Sequence, residues 1–102
     1  MISEKTVVNV SENQVHTVLD GESVILDLEE GIYYGLDEVG TRIWELLQEP
    51  TEVLDVIDTL TKEYDVTRDK CTSDTLHLLE DLQEHNLINV QNSEIKTANK
   101  RE

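Results

Sequence analysis

The chain has 102 residues, enough for one domain around one modest core, and its 23 acidic against 8 basic residues give a formal charge of −15. That charge repels polyanions, so nucleic acid and anionic membrane surfaces are poor partners, and basic or neutral ones are favoured. The single cysteine, Cys71, excludes an internal disulfide, and no apolar run nears the roughly 20 residues that span a bilayer. The N-terminal MISEKTVVNVSEN lacks the basic head and apolar stretch of a secretory signal, so a cytoplasmic protein is expected.

The first third reads as strands. Thr6 to Val10 and Gln14 to Leu19 are rich in valine and threonine, and Asp20-Gly21 signals a turn. In Ser23 to Leu28, the residues Val24, Leu26 and Leu28 alternate against polar or exposed positions. Glu29-Glu30-Gly31 makes a second turn into Ile32-Tyr33-Tyr34-Gly35-Leu36. There Ile32, Tyr34 and Leu36 share the face expected to meet the core, while Tyr33 and Gly35 share the other.

The period changes at Asp37, a good helix N-cap. Val39, Ile43, Leu46 and Leu47 then recur at helical spacing beside Trp44, and Pro50 helps stop this helix. Thr51 is read as the cap of a second helix whose apolar side is Val53, Leu54, Val56, Ile57 and Leu60, ending near Tyr64. A third helix is expected from about Arg68 to His85 with the stripe Cys71, Thr75, Leu78, Leu79 and Leu82, closed by a left-handed Asn86. Leu87 to Val90 packs back as a short extended piece. These elements predict an α+β domain of winged helix-turn-helix type over residues 1–90, with an N-terminal three-stranded antiparallel sheet followed by three helices. Residues 91–102, with almost nothing to bury, are expected to form a disordered tail.

Catalytic chemistry is hard to find. His16, His77 and His85 are scattered and read as solvated. His77 and His85 lie eight residues apart on one helix, about 12 Å, too far for a shared metal. Cys71 opens an apolar stripe, where a thiol most often serves as a small hydrophobe. The four glycines (Gly21, Gly31, Gly35 and Gly40) do not form a phosphate-binding spacing. No catalytic residue, metal site or cofactor is therefore expected. DNA binding fails on charge, because the third helix carries Asp69, Asp74, Glu80, Asp81 and Glu84 against Arg68 and Lys70 at its start.

A peptide-binding module remains. If Ile32–Leu36 is a sheet edge, nothing between Gly31 and Leu36 protects it: there is no proline and no inward charge. Leu76 lies off the main stripe of the third helix but close to Leu79, and the pair reads either as a covered core edge or as the wall of a groove beside that strand. A peptide added to the strand would place alternate side chains in such a groove.

The run Gly21 to Leu47, with its Gly31-Ile32-Tyr33-Tyr34-Gly35-Leu36 and Ile43-Trp44-Glu45-Leu46-Leu47 segments, resembles the PqqD-like family. A second block, Ser73 to Leu82 followed by Asn86-Leu87-Ile88, resembles the family's later helix; together they cover about residues 14–90. The resemblance implies a stand-alone precursor-recognition element for ribosomally made, modified peptides. Such elements bind the leader segment as an added strand against the third strand and third helix, and hand it, chaperone-like, to a separate enzyme. On this chain the matching positions are Gly31, Ile32, Tyr33, Tyr34, Gly35, Leu36, Thr75, Leu76 and Leu79. The spelling is closest to lasso-peptide members, whose partner is a leader peptidase. The alternatives are a PqqD-type chaperone for a radical-SAM maturase and, further off, a winged-helix transcription factor. Asp37 stands where asparagine is usual and keeps the cap; Thr75 stands where valine is usual and makes the groove wall more polar. The oligomeric state stays open, a homodimer included. Incubated with its precursor and no partner enzyme, the purified protein is expected to leave the precursor's mass unchanged; cleavage or a mass shift would contradict the non-catalytic reading.

Overall fold

The computed structural model describes residues 2–12, 14–19 and 22–91. The order is β1 (Val7–Val10), β2 (Gln14–Leu19), β3 (Glu22–Asp27), β4 (Ile32–Leu36), α1 (Glu38–Leu46), β5 (Thr51–Glu52), α2 (Val53–Glu63), α3 (Arg68–Glu84) and β6 (Ile88–Gln91). The Asp20-Gly21 turn and the expected disordered tail beyond Gln91 lie outside the described residues. Gln91 itself belongs to β6, one residue past the expected domain boundary.

Two antiparallel three-stranded sheets form, in the orders β2-β3-β4 and β5-β1-β6. A single N-terminal sheet was the expectation, but β1 leaves the hairpin strands and joins the other end of the chain. Val8 stands opposite Thr51 on one side and Val90 on the other. The reason is visible in the backbone accounting. The N–H groups of Val53 and Leu54, which open α2 and have no partner within the helix, donate to the carbonyls of Thr6 and Glu4 at 2.9 Å. The expected cap, Thr51, is therefore unnecessary. It sits in β5, and its hydroxyl donates to the Leu46 carbonyl at 3.0 Å.

The face of β3 is also the reverse of the apparent alternation. Ile25 and Ser23 are buried, whereas Leu26 is 38% and Leu28 58% exposed. Register explains this: Ile25 lies opposite Tyr34 and Ser23 opposite Leu36, so they share the side on which Leu36 is buried. Ser23 tolerates burial because its Oγ shares a 2.7 Å hydrogen bond with Thr41 Oγ1 on α1.

Local signals hold the elements in place. The β3–β4 turn closes when Asp27 Oδ1 accepts the Glu29 N–H at 3.0 Å, with Gly31 at φ +71°. Asp37 caps α1, its Oδ1 accepting the Gly40 N–H at 2.8 Å, an interaction worth about 1 kcal/mol. A Cβ on Gly40 would sit 3.2 Å from both that oxygen and Leu36 Cδ2, so glycine lets α1 start directly against β4. Thr67 caps α3 through the Lys70 N–H at 3.3 Å. Asn86 takes the left-handed conformation at φ 61°, and the Leu87 N–H returns to the Leu82 carbonyl at 2.9 Å.

The core gathers Ile25 and Leu36 from the hairpin sheet and Val8 and Ile88 from the other. The helices add Ile43, Trp44, Val56, Ile57, Leu60, Leu79 and Leu82. Trp44, the only tryptophan, is 1% exposed. Its ring lies 6.3 Å from that of His16, whose Nε2 is buried with no hydrogen-bond partner among the described residues, so His16 is not the solvated histidine expected. Trp44→Ala is expected to cost about 3–5 kcal/mol, much of the margin of a small domain. Circular-dichroism melting checks this; a variant that melts like the parent would remove Trp44 from the core.

Candidate functional site

β4 is the edge of the β2-β3-β4 sheet: one side pairs with β3 along its whole length, and no strand pairs with the other among the described residues. It carries no charge, proline or bulge, the devices that usually blunt an edge. Beside it opens a groove of about 530 Å³, within the range of roughly 300–1,000 Å³ common for ligand sites. Tyr34, Gly35 and Leu36 line the strand side, and Lys70, Cys71, Asp74, Thr75 and Leu78 the α3 side. Val39, Ile43, Leu60 and Tyr64 close it from α1 and α2.

The lining is chiefly apolar with charge at three points. Lys70 Nζ and Asp74 Oδ2 pair at 2.9 Å on the exposed rim of α3, and Asp37 marks the end of β4. Tyr34 packs edge-on against the His85 ring at 5.4 Å. Partial burial and then the nearby charge of Asp81 raise the Tyr34 hydroxyl above its ordinary pKa. Desolvation and the neighbouring Glu38 and Glu63 raise Tyr64 likewise. Behind the groove, Arg42 of α1 forks onto Glu63 of α2, with both nitrogen–oxygen distances 2.8 Å, and its hydrogen bonds hold the Glu63 carboxyl below the usual range. The pair is exposed and fixes orientation more than it stabilises.

Of the residues singled out in the sequence, Tyr34, Gly35, Leu36 and Thr75 meet at this groove. Gly31 forms the hairpin turn, Ile32 is exposed at its end, and Tyr33, 73% exposed, stands on the opposite face of the sheet. Leu76 and Leu79 are not in the groove wall: Leu79 is fully buried and Leu76 packs half-buried against the core. The wall is the run Cys71, Thr75 and Leu78, at i, i+4 and i+7. Sequence reasoning read that run as core stripe, and its helical spacing was the available signal. Cys71 is itself buried, with Sγ 3.9 Å from Thr75 Oγ1. Val39, Tyr64 and Val66 also line the groove without having been anticipated there.

Among the described residues no group of three or more His, Cys, Asp or Glu is placed to hold a metal ion. No helix among them is long and apolar enough to cross a membrane.

Two solved structures resemble the chain. "TbiB1 in Complex with the TbiA(beta) Leader Peptide" aligns with a TM-score of 0.72 at 36% identity, covering 78% of this chain and 93% of that one. "Lasso peptide synthetase B1 complexed with the leader peptide" aligns with a TM-score of 0.72 at 26% identity, covering 80% and 96%. No curated protein matches at a significant level. The family model for coenzyme PQQ synthesis protein D (PqqD) matches residues 22–88, a span that holds β3, β4, all three helices and therefore every wall of the groove. By that match, over well more than half its length, the chain belongs to the PqqD family.

Proposed function

We propose that this protein is a non-catalytic, cytoplasmic recognition element that binds the leader region of a precursor peptide and presents it to a separate maturation enzyme, in lasso-peptide biosynthesis. One observation carries the reading: an unprotected edge strand borders an apolar groove, in a chain 36% identical to TbiB1, whose solved structure includes the TbiA(beta) leader peptide. In this mechanism the leader adds antiparallel to β4. Its backbone satisfies the open N–H and C=O groups, and every second side chain enters the groove between β4 and α3. Backbone pairing is largely indifferent to sequence, so selection falls to one or two apolar anchors received by Leu36, Val39, Leu78 and Tyr64.

The charge of −15 disfavours an acidic leader and speeds the arrival of a basic one, an effect that salt weakens. The α2–α3 pair and the hairpin sheet are consistent with a winged helix-turn-helix turned to peptide use. The exposed acids of α3 (Asp69, Asp74, Glu80, Asp81 and Glu84) argue against a DNA duplex there.

Amide exchange with and without the leader segment of its precursor tests the mode of binding. Protection is expected along Tyr33–Leu36 and on α3 between Lys70 and Leu78. Protection confined to α2 or to the β5-β1-β6 sheet would refute strand addition even if the peptide binds. Leu78→Asp, which puts an unpaired charge into the apolar wall at a half-buried position packed on the core, is expected to lower the melting temperature and to weaken leader binding at least tenfold, about 1.4 kcal/mol, when binding is measured at a temperature where the variant is still folded by circular dichroism.

A further inference from the structure

Gly35 has no local reason to be glycine. Its φ lies outside the left-handed region, and a Cβ built on it would meet nothing within 4 Å. This contrasts with Gly31, at φ +71°, and with Gly40, where a Cβ would crowd Leu36 and Asp37. Glycine inside a strand weakens it, because the unfolded chain has more freedom to lose and there is no side chain to pack. The cost falls on the one open edge that borders the groove.

The sheet register shows what the missing side chain leaves. Gly35 stands opposite Val24, which stands opposite Thr17, and these make one row across the outer face. The next row, on the same face, is Val15, Leu26 and Tyr33, which are 48%, 38% and 73% exposed. Gly35 is thus a gap at the open end of its row, bordered by Val24 across the strand and by Tyr33 two residues back. A strand added to β4 continues both rows, and the residue facing Gly35 points away from the groove and over this gap. An aromatic ring there folds back across a glycine onto the neighbouring strand, the arrangement by which aromatic residues rescue edge glycines.

We propose that Gly35 opens a notch on the outer face of the sheet that admits an aromatic side chain of the bound peptide. The peptide is then read on both faces: an apolar anchor in the α3 groove and an outward aromatic over Gly35, against Val24 and Tyr33. This rests on the strand-addition reading above and adds a second specificity determinant to it.

The test uses a displayed library of random linear peptides, selected on the full-length protein and on Gly35→Val, with amide exchange on the selected peptides. Valine suits the strand and meets no atom, so the variant is expected to melt at or above the parent temperature. Peptides selected on the parent should protect β4 and be enriched in Trp, Tyr or Phe at one position two residues from another apolar position of the same outward face. On Gly35→Val that enrichment should disappear, and the parent-selected peptides should bind at least tenfold more weakly, recovering when the aromatic is replaced by glycine or alanine. Equal binding to both proteins, or selection of peptides that protect β4 without an outward aromatic, overturns the notch and leaves strand addition standing. Selection of peptides that bind without protecting β4 overturns both.

Discussion

The seating of β3 on α1 governs the rest of the molecule. Ser23 and Ile25 face the helix, with the Ser23 hydroxyl bonded to Thr41 at 2.7 Å and Ile25 fully buried in the cluster that holds Trp44. Because side chains alternate across a strand, this single choice of face assigns every residue of the sheet. Leu36 turns in toward α1 and Tyr34 toward α3, while Val24, Leu26 and Tyr33 turn out. It also holds β4 alongside α3 at the spacing of the groove.

That placement creates an edge strand with an apolar wall beside it, an arrangement normally avoided because it invites association. Here the acidic surface provides the protection that the strand lacks. With a charge of −15, two copies repel one another across solvent, whereas a basic segment is attracted and a neutral one is not repelled. Like-charge repulsion thus limits edge-to-edge association between copies although β4 itself carries no blunting device. The other sheet contributes differently. By pairing β1 with both β5 and β6, it ties the start of the chain to its end and to the mouth of α2, which leaves the hairpin sheet free of that duty.

The fourteen residues from Gly31 to Trp44 therefore divide their aromatic mass by position. Trp44 is core, and Tyr34 is half-buried with its ring edge-on to His85 at the end of α3. Tyr33 stands in solvent on the far face. One segment thus supplies the centre of the fold, one side of the groove and a residue available on the outer surface.

Sequence by itself determined the three helices, the cap at Asp37, the left-handed Asn86, the β3–β4 hairpin and the family; the Thr67 cap of α3 emerged only in the structure. Each feature read from the sequence rests on neighbours within a few residues, where propensity and hydrogen bonding act. The family resemblance named Tyr34, Gly35, Leu36 and Thr75 among the site positions, whereas their period-2 and period-3.6 signals alone read Tyr34, Leu36 and Thr75 as core-facing. Tertiary structure alone decided which face of β3 is buried: both of its faces carry aliphatic residues, so alternation cannot choose, and contact with α1 does. It decided that β1 pairs with the far end of the chain, a contact with no local signature. It put Leu78 rather than Leu76 and Leu79 in the groove wall, because the packing of α3 against α2 and β6 turns Leu79 fully into the core and aims the half-buried Leu78, not the likewise half-buried Leu76, at the groove.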